Sequence, residues 1–519
     1  MTVKGNDTPD TEILLQRRSF GSDLGLFVQL TALILQRSHL NKTTFLPRDT
    51  IYLIVNKMVA ESQSNKESVM QGKKTLGLLT IMAITGLFGI TAEASSEQTP
   101  QQWITYAMES GHNAYYNSAF PSVSWAFMAP GANKINRHVV VKTTTIRDLV
   151  GFPIGVAVVH GVVYAPNDNG FLYALDAENG HLLWSANAYN QIMSTPIVAN
   201  VDGQQLVFVG IGNSVFAYSH AKLFGMHGAQ VIRGTDVSAI EAFNGKTGKL
   251  QWVYHTLGED MPTPTYINGK LIFGNGDGHI YALDAQNGTQ LWKTYIHSFV
   301  SMSSATPVDG GNIVVMGGTH PSRIYAVNSS TGKLLWTVHP KNIFSSSGGD
   351  GTWAAHGGIL VGQIETRDSN QKTGTSSSEE LALNAKNGQI LWARSLGSGR
   401  TPPRNKDAVP DIADGMIYTG SPVTHKEYAI NLKTGNMMWQ KKLSAGMKAA
   451  PLTVGSHLIQ PIGNGDIYTL NRQTGSITHV YHNVHGGFGP QNGVLIGKTY
   501  FIGSNAGYME AIPLHMLLH

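Results

Sequence analysis

From about residue 150 onward the chain repeats one pattern of apolar and polar positions. Its clearest copy runs Gly278-His-Ile-Tyr-Ala-Leu-Asp-Ala-Gln-Asn-Gly-Thr-Gln-Leu-Trp292. Ile280 and Ala282 alternate with Tyr281 and Leu283, which predicts a half-buried strand. The Asp-Ala-Gln-Asn-Gly stretch then supplies a tight turn, because glycine accepts the positive φ that closes a hairpin. The next strand ends in Trp292, whose ring can fill the space between neighbouring sheets. Close copies occupy 170–184 and 322–336, and looser ones end at Trp252, Trp392 and Trp439. A seventh copy, 465–479, carries His479 where the others carry tryptophan, and an eighth opens at Gly507 and runs out of chain. Upstream of most copies lies another strand pair, such as 263–274, so each unit predicts four strands.

A four-stranded unit recurring about every 40 residues is a blade of a β-propeller, whereas solenoid repeats are usually shorter. Two units carry insertions. One, 211–237, holds Leu223, Phe224 and Met226 and suits a dimer contact or a lid. The other, 365–378, is rich in Ser, Thr and Gly and reads as a solvent loop. The β-branched run 138–145 is expected to pair with the last blade and so close the ring, removing its free edges. The Tyr-Ala-Leu-Asp-Ala-x-Asn-Gly-x-x-Leu-Trp phrase resembles the tryptophan-docking repeat of the pyrroloquinoline-quinone (PQQ) dehydrogenase superfamily. That resemblance implies an all-β, eight-bladed propeller over residues 150–519. The same propeller carries dehydrogenases, scaffolds and hydrolases, so function has to come from the site.

Composition narrows the choice. Charged residues make up only 13%, against about 25% in an average soluble domain. A chain with few carboxylates changes little as pH falls, which suits an acidic setting, and it equally suits charge-poor secreted β-proteins. The net charge of +4 is small and dispersed. With no basic run or aromatic-interleaved motif, it argues against nucleic acid and mildly favours a small anionic ligand. Cysteine is absent, which excludes disulfides, thiolate metal sites, haem attachment and a lipidated cysteine. It also leaves nothing for a thiol-oxidising substrate to attack.

Ahead of the repeats, residues 1–69 read as an over-extended frame, with Met58 or Met70 as the natural start. Lys73 and Lys74, the apolar run 76–90 and Ala92-Glu93-Ala94 form the three parts of a signal peptide over 70–94. The apolar run is short for a membrane span. The expectation is export to the periplasm, with no membrane insertion after cleavage, and a segment 95–149 that closes the last blade.

In a propeller the segments leading into each innermost strand surround one mouth of the central channel. Here they include Arg147, Arg400, Arg404, Lys406, Lys448 and His485. Converging cations of this kind would form an anion site, although each one alone reads equally well as solvated surface. Asp350 lies in Ser347-Gly-Gly-Asp-Gly-Thr-Trp353, where glycines let the backbone approach a ligand. It is the candidate acid/base, with a plain turn former as the bland alternative; Asp260 and Asp411 are rival acids. No phosphate-binding loop, His-Glu-x-x-His or Gly-x-Ser-x-Gly motif is present, and no histidine pair has ligand spacing, so neither metal nor cofactor is expected.

One further segment, Glu109-Ser-Gly-His-Asn-Ala-Tyr-Tyr-Asn-Ser118, resembles the Gly-His-Asp-x-x-Asn-x-x-x-Ser stretch that opens quinoprotein propellers. With the missing cysteines, the low charge density and the cationic funnel, residues 95–519 resemble the tetrathionate hydrolases of acidophilic sulfur-oxidising bacteria. That resemblance implies tetrathionate plus water giving thiosulfate, sulfur and sulfate, no quinone, and a homodimer. Two other readings stay open. A PQQ- and Ca²⁺-dependent alcohol or sugar dehydrogenase would need Glu, Asn and Asp ligands and a ring-stacking Trp. A non-enzymatic scaffold propeller would ordinarily bear a lipid-carrying Cys.

Overall fold

The repeats fold into eight antiparallel sheets arranged as the blades of a propeller. The computed structural model describes residues 98–132, 150–212, 237–344, 347–349, 351–367, 370–402 and 407–519. In each blade a three- to five-residue inner strand leads to three longer ones. Blade 3 is representative, with strands Thr265–Ile267, Lys270–Gly274, His279–Asp284 and Gln290–Tyr295. Its Asp284 carboxylate accepts the Gln286 N–H at 2.8 Å, which fixes the turn that the sequence pattern predicts.

Each tryptophan expected at a blade junction is there, half-buried. Its indole N–H donates to a carbonyl of the next blade: Trp184 to Gly245, Trp252 to Ala285, Trp292 to Ser329, Trp336 to Ala385, Trp392 to Leu432 and Trp439 to Arg472, at 3.0–3.3 Å. The ring lies over the turn glycine of that next blade. At Gly475 (φ +71°) a Cβ would stand 2.6 Å from Trp439, so the position demands glycine for its φ and for its contact.

The ring closes through a strand that the sequence pattern did not single out. Blade 8 holds Val494–Ile496, Thr499–Gly503 and Tyr508–Pro513, and its outer strand is Trp125–Met128, paired antiparallel to Tyr508–Pro513. The run 138–145 lies outside the described residues. Trp125 acts as another docking tryptophan, donating to the Ala177 carbonyl at 3.0 Å and covering Gly180 of blade 1. At the blade 7–8 junction, where His479 replaces the tryptophan, the C-terminal helix Leu514–Leu518 takes over. Leu517 is fully buried there and its carbonyl accepts the Thr469 hydroxyl at 2.6 Å.

A second departure concerns 365–378. Its two ends are strand: Ile359–Thr366, Thr375–Asn384 and Ile390–Arg400 extend blade 5, and Glu365, Ser376 and Ser378 are buried, whereas Lys372, Thr373 and Gly374 between them are exposed. Polar composition hid the extension because both faces of it lack the apolar alternation of the other strands. The apolar insertion, apart from its ends, and the signal-peptide segment fall outside the described residues. Among the described residues, no helix is long and apolar enough to cross a membrane.

The segment 99–116 runs along the inner edges of the blades in chain order. Pro100 accepts from His160 in blade 1, Trp103 bridges Val198 in blade 2, and Ile104 accepts from Tyr266 in blade 3. Ser110 donates to Pro307 in blade 4 and accepts from Ala355 in blade 5, while Gly111 accepts from Ile412 in blade 6. Asn113 exchanges two hydrogen bonds with Thr453 in blade 7, and Tyr115–Tyr116 add a parallel strand to blade 8. Trp103, Tyr106 and His112 of this segment are buried.

Candidate functional site

Strand direction places the lead-ins to all eight inner strands at one end of the channel, together with the turns joining second to third strands. A common register emerges at that end. Four residues ahead of each inner strand stand Pro153 and Pro490 in blades 1 and 8, methionine in blades 2 to 4, aspartate in blades 5 and 6, and Lys448 in blade 7. Strands and turns are nearly the same from blade to blade, whereas this position changes chemistry around the ring.

The aspartates are Asp350, which lies outside the described residues, and Asp407. Asp407 is buried; its carboxylate accepts the Ser347 hydroxyl and the Gly348 N–H, both at 2.8 Å. It thereby ties the lead-in of blade 6 to that of blade 5, immediately ahead of Asp350. Ser347 Oγ in turn accepts the Glu365 N–H at 2.8 Å. Lys448 is half-buried, and its carbonyl accepts the Val409 N–H at 3.1 Å, so the lead-ins of blades 6 and 7 are joined as well.

The remaining expected site residues divide. Arg147, Arg404 and Lys406 lie outside the described residues. His485 is at the lead-in to blade 8, with Nδ1 2.8 Å from Glu510 and its ring stacked on Tyr508. Arg400 departs from expectation: it ends the extended outer strand of blade 5, exposed and paired with Thr375. The strand simply continues to Arg400, which leaves 401–410 as the lead-in.

Both rival acids are fully buried. Asp260 accepts from the Thr256 hydroxyl and, at 2.7 Å, from Asn275 Nδ2. Burial drives its pKa well above the usual carboxylate range, and the charges of Asp277 and Glu259 add to the effect. Asp411 opens the inner strand of blade 6, and burial, with Glu109 nearby, raises its pKa likewise. Neighbouring Glu427 is raised by burial and by Asp411, and Glu380 is pushed up to about 8, chiefly by burial. These acids hold protons that an ionised base would have to lack. Asn275 spends its amide on Gly258, Glu259 and Asp260. Among the described residues no three His, Asp or Glu side chains converge as a metal site.

Asp407 was legible in the sequence as one of several polar lead-in residues, but its place in the ring was not, and neither were the methionines. The register that exposes them needs the starts of the inner strands, and those strands are too short to be read from pattern.

The fold and the repeat define the class: a family model described as outer membrane protein assembly factor BamB matches residues 133–223, 219–342 and 374–508. BamB from Moraxella catarrhalis superposes with a TM-score of 0.53 at 16% identity, covering 75% of this chain and 98% of its own. Quinohemoprotein alcohol dehydrogenase from Comamonas testosteroni gives 0.53 at 13% identity, covering 79% and 77%. These likenesses establish the propeller. Tetrathionate hydrolase of Acidithiobacillus ferrooxidans is 30% identical over 446 residues, 81% of this chain and 87% of that protein. Tetrathionate hydrolase of Acidianus ambivalens is 29% identical over 391 residues, 71% and 72% respectively. The chain belongs to the tetrathionate hydrolase family.

Proposed function

We propose that this chain is an exported hydrolase that converts tetrathionate and water to thiosulfate, elemental sulfur, sulfate and two protons. The observation that carries the reading is the 30% identity extending over 87% of the Acidithiobacillus ferrooxidans enzyme. The lead-in end supports it with chemistry suited to a dianion: Lys448 and His485 stand there, and Arg147, Arg404 and Lys406 belong to the same lead-ins by sequence. These cations and nearby backbone N–H groups would hold the two sulfonates. Arg400, on the outer strand, is left out of that set.

Asp350 is the proposed acid/base. Water delivers its oxygen to a sulfonate sulfur and its proton to Asp350. The bond from that sulfur to the neighbouring sulfane breaks, with the electron pair leaving on the sulfane chain. The departing chain, carrying that pair and one sulfonate, sheds one sulfur atom to become thiosulfate, and the two protons of the water are released from Asp350 and from the new sulfate. Neither PQQ nor calcium has a role in these steps, and the family relationship favours a homodimer in the periplasm.

Kinetics of Asp350→Asn, Asp260→Asn and Asp411→Asn, measured side by side, test the assignment. Asp350→Asn should bind tetrathionate normally and lose ~10²–10⁴ in turnover. Wild-type turnover in Asp350→Asn with loss in another variant would move the role to that residue, and full activity in all three would end the carboxylate mechanism.

A further inference from the structure

Three consecutive positions of the ring carry methionine. Met193, Met261 and Met302 precede the inner strands of blades 2, 3 and 4, and their side chains form a buried cluster of their own, 6%, 1% and 7% exposed. Equivalent residues of three successive blades can meet only on the axial side, because the sheets diverge outward. The cluster is separate from the larger apolar cores that fill the blades and their junctions. The fold itself does not require it, since blades 8 and 1 manage with proline at the same position. In an eightfold ring, Asp407 of blade 6 and Lys448 of blade 7 lie diametrically across from blades 2 and 3.

We propose that this methionine arc is a subsite for the sulfane chain of a polythionate, a function that rests on the polythionate hydrolysis proposed above. A polythionate is two sulfonates joined by divalent sulfur atoms. The sulfonates need cations and N–H donors. The sulfane atoms carry no charge, are poor hydrogen-bond acceptors and are highly polarisable. Against thioether sulfur they lose little on leaving water and gain dispersion contact. A thioether also has no proton to gain at ordinary acidity, and it cannot exchange with a sulfur–sulfur bond as a thiolate does. In a chain without cysteine, methionine is the side chain that offers soft sulfur while remaining inert toward such a substrate. The arc therefore reads the length of the sulfane chain, while the opposite arc handles charge.

The test compares kcat/KM for trithionate, tetrathionate and pentathionate, each longer than the last by one sulfane sulfur. Wild type is measured with Met261→Gln and Met261→Ala, and circular dichroism reports folding. Met261→Gln keeps the length but buries an amide, so the pentathionate-to-trithionate ratio should fall at least about fivefold, mostly through KM. Met261→Ala opens room, so the pentathionate-to-tetrathionate ratio should rise about tenfold. Unchanged ratios in folded variants of an active wild type would overturn the subsite while leaving the hydrolase intact. A wild type that cleaves no polythionate would remove the proposed function and the subsite with it. If either Met261 variant fails to fold, the same substitutions at Met302, the most exposed of the three, decide by the same ratios.

Discussion

The two ends of the channel are built on opposite plans. At one end the segment 99–116 takes hold of the blades in turn, largely through backbone hydrogen bonds, with Trp103, Tyr106 and His112 buried among them. At the other end the same ring of blades presents proline, methionine, aspartate and lysine at one structural position. Main-chain bonds are indifferent to side-chain chemistry, so those bonds of the segment serve closure and stability. Variation concentrated at a single register of an otherwise repeated unit is what a binding site requires, and the second end carries it.

Buried titratable groups should make stability depend on pH, and this is the largest expected effect. Glu380, raised to about 8, and Glu241, raised to about 7, keep a proton in the folded state that the unfolded chain releases above about pH 4.5. Asp260, Asp411 and Glu427 shift in the same direction. Each such group contributes stability that is complete below its unfolded pKa and is lost as pH rises, by about 1.4 kcal/mol per pH unit in the interval. His112 opposes them. Its Nδ1–H donates to the Pro410 carbonyl at 3.0 Å, and burial lowers its pKa to about 4, so its contribution is lost as pH falls from about 6.5 to 4. The carboxylates outnumber it, so the melting temperature should be higher at pH 4.5 than at pH 7.5. A higher value at pH 7.5 would mean that these acids ionise in place.

Trp103→Ala should cost ~3–5 kcal/mol in urea unfolding, as for other buried tryptophans. Its effect on KM should be small if the closed end is purely structural. A selective loss of tetrathionate binding with stability retained would break the contrast between the ends.

How much of this was legible in the sequence depended on length of pattern. The blades were legible because seven of the eight repeat a long phrase around Asp/Asn-x-x-x-Gly, which in six of them ends in Trp. Trp125 was missed because the closing strand comes from the far end of the propeller chain and has no turn ahead of it. The helix Leu514–Leu518 was missed because a few residues after Pro513 carry no helical period. At the site, Lys448 and His485 were legible as basic residues in lead-ins, whereas nothing singled out Met193, Met261 and Met302 without the register.

The eighth junction offers a milder test. Leu517→Ala removes the side chain that packs where the other junctions use tryptophan, and should cost ~2–4 kcal/mol, the lower part of the usual range for leucine. No change would show that blade 7 and blade 8 are held by the segment 99–116 alone.

The smallest expected effect is Asp407→Asn. The amide keeps one acceptor for Ser347 and Gly348 and loses the other, a cost of ~1–2 kcal/mol measured by thermal melting. If Asp407 positions the lead-in that carries Asp350, turnover falls while KM stays near wild type. A rise in KM with turnover unchanged would place Asp407 in substrate binding instead.

The central claim, that the varied end of the channel hydrolyses tetrathionate unaided, is tested most directly by incubating purified protein with tetrathionate after exhaustive removal of quinone and divalent metal. The account predicts thiosulfate and sulfate appearing in equal amounts, with elemental sulfur, at an undiminished rate. No turnover under these conditions, with alcohol or sugar oxidation appearing once PQQ and Ca²⁺ are supplied, would contradict it.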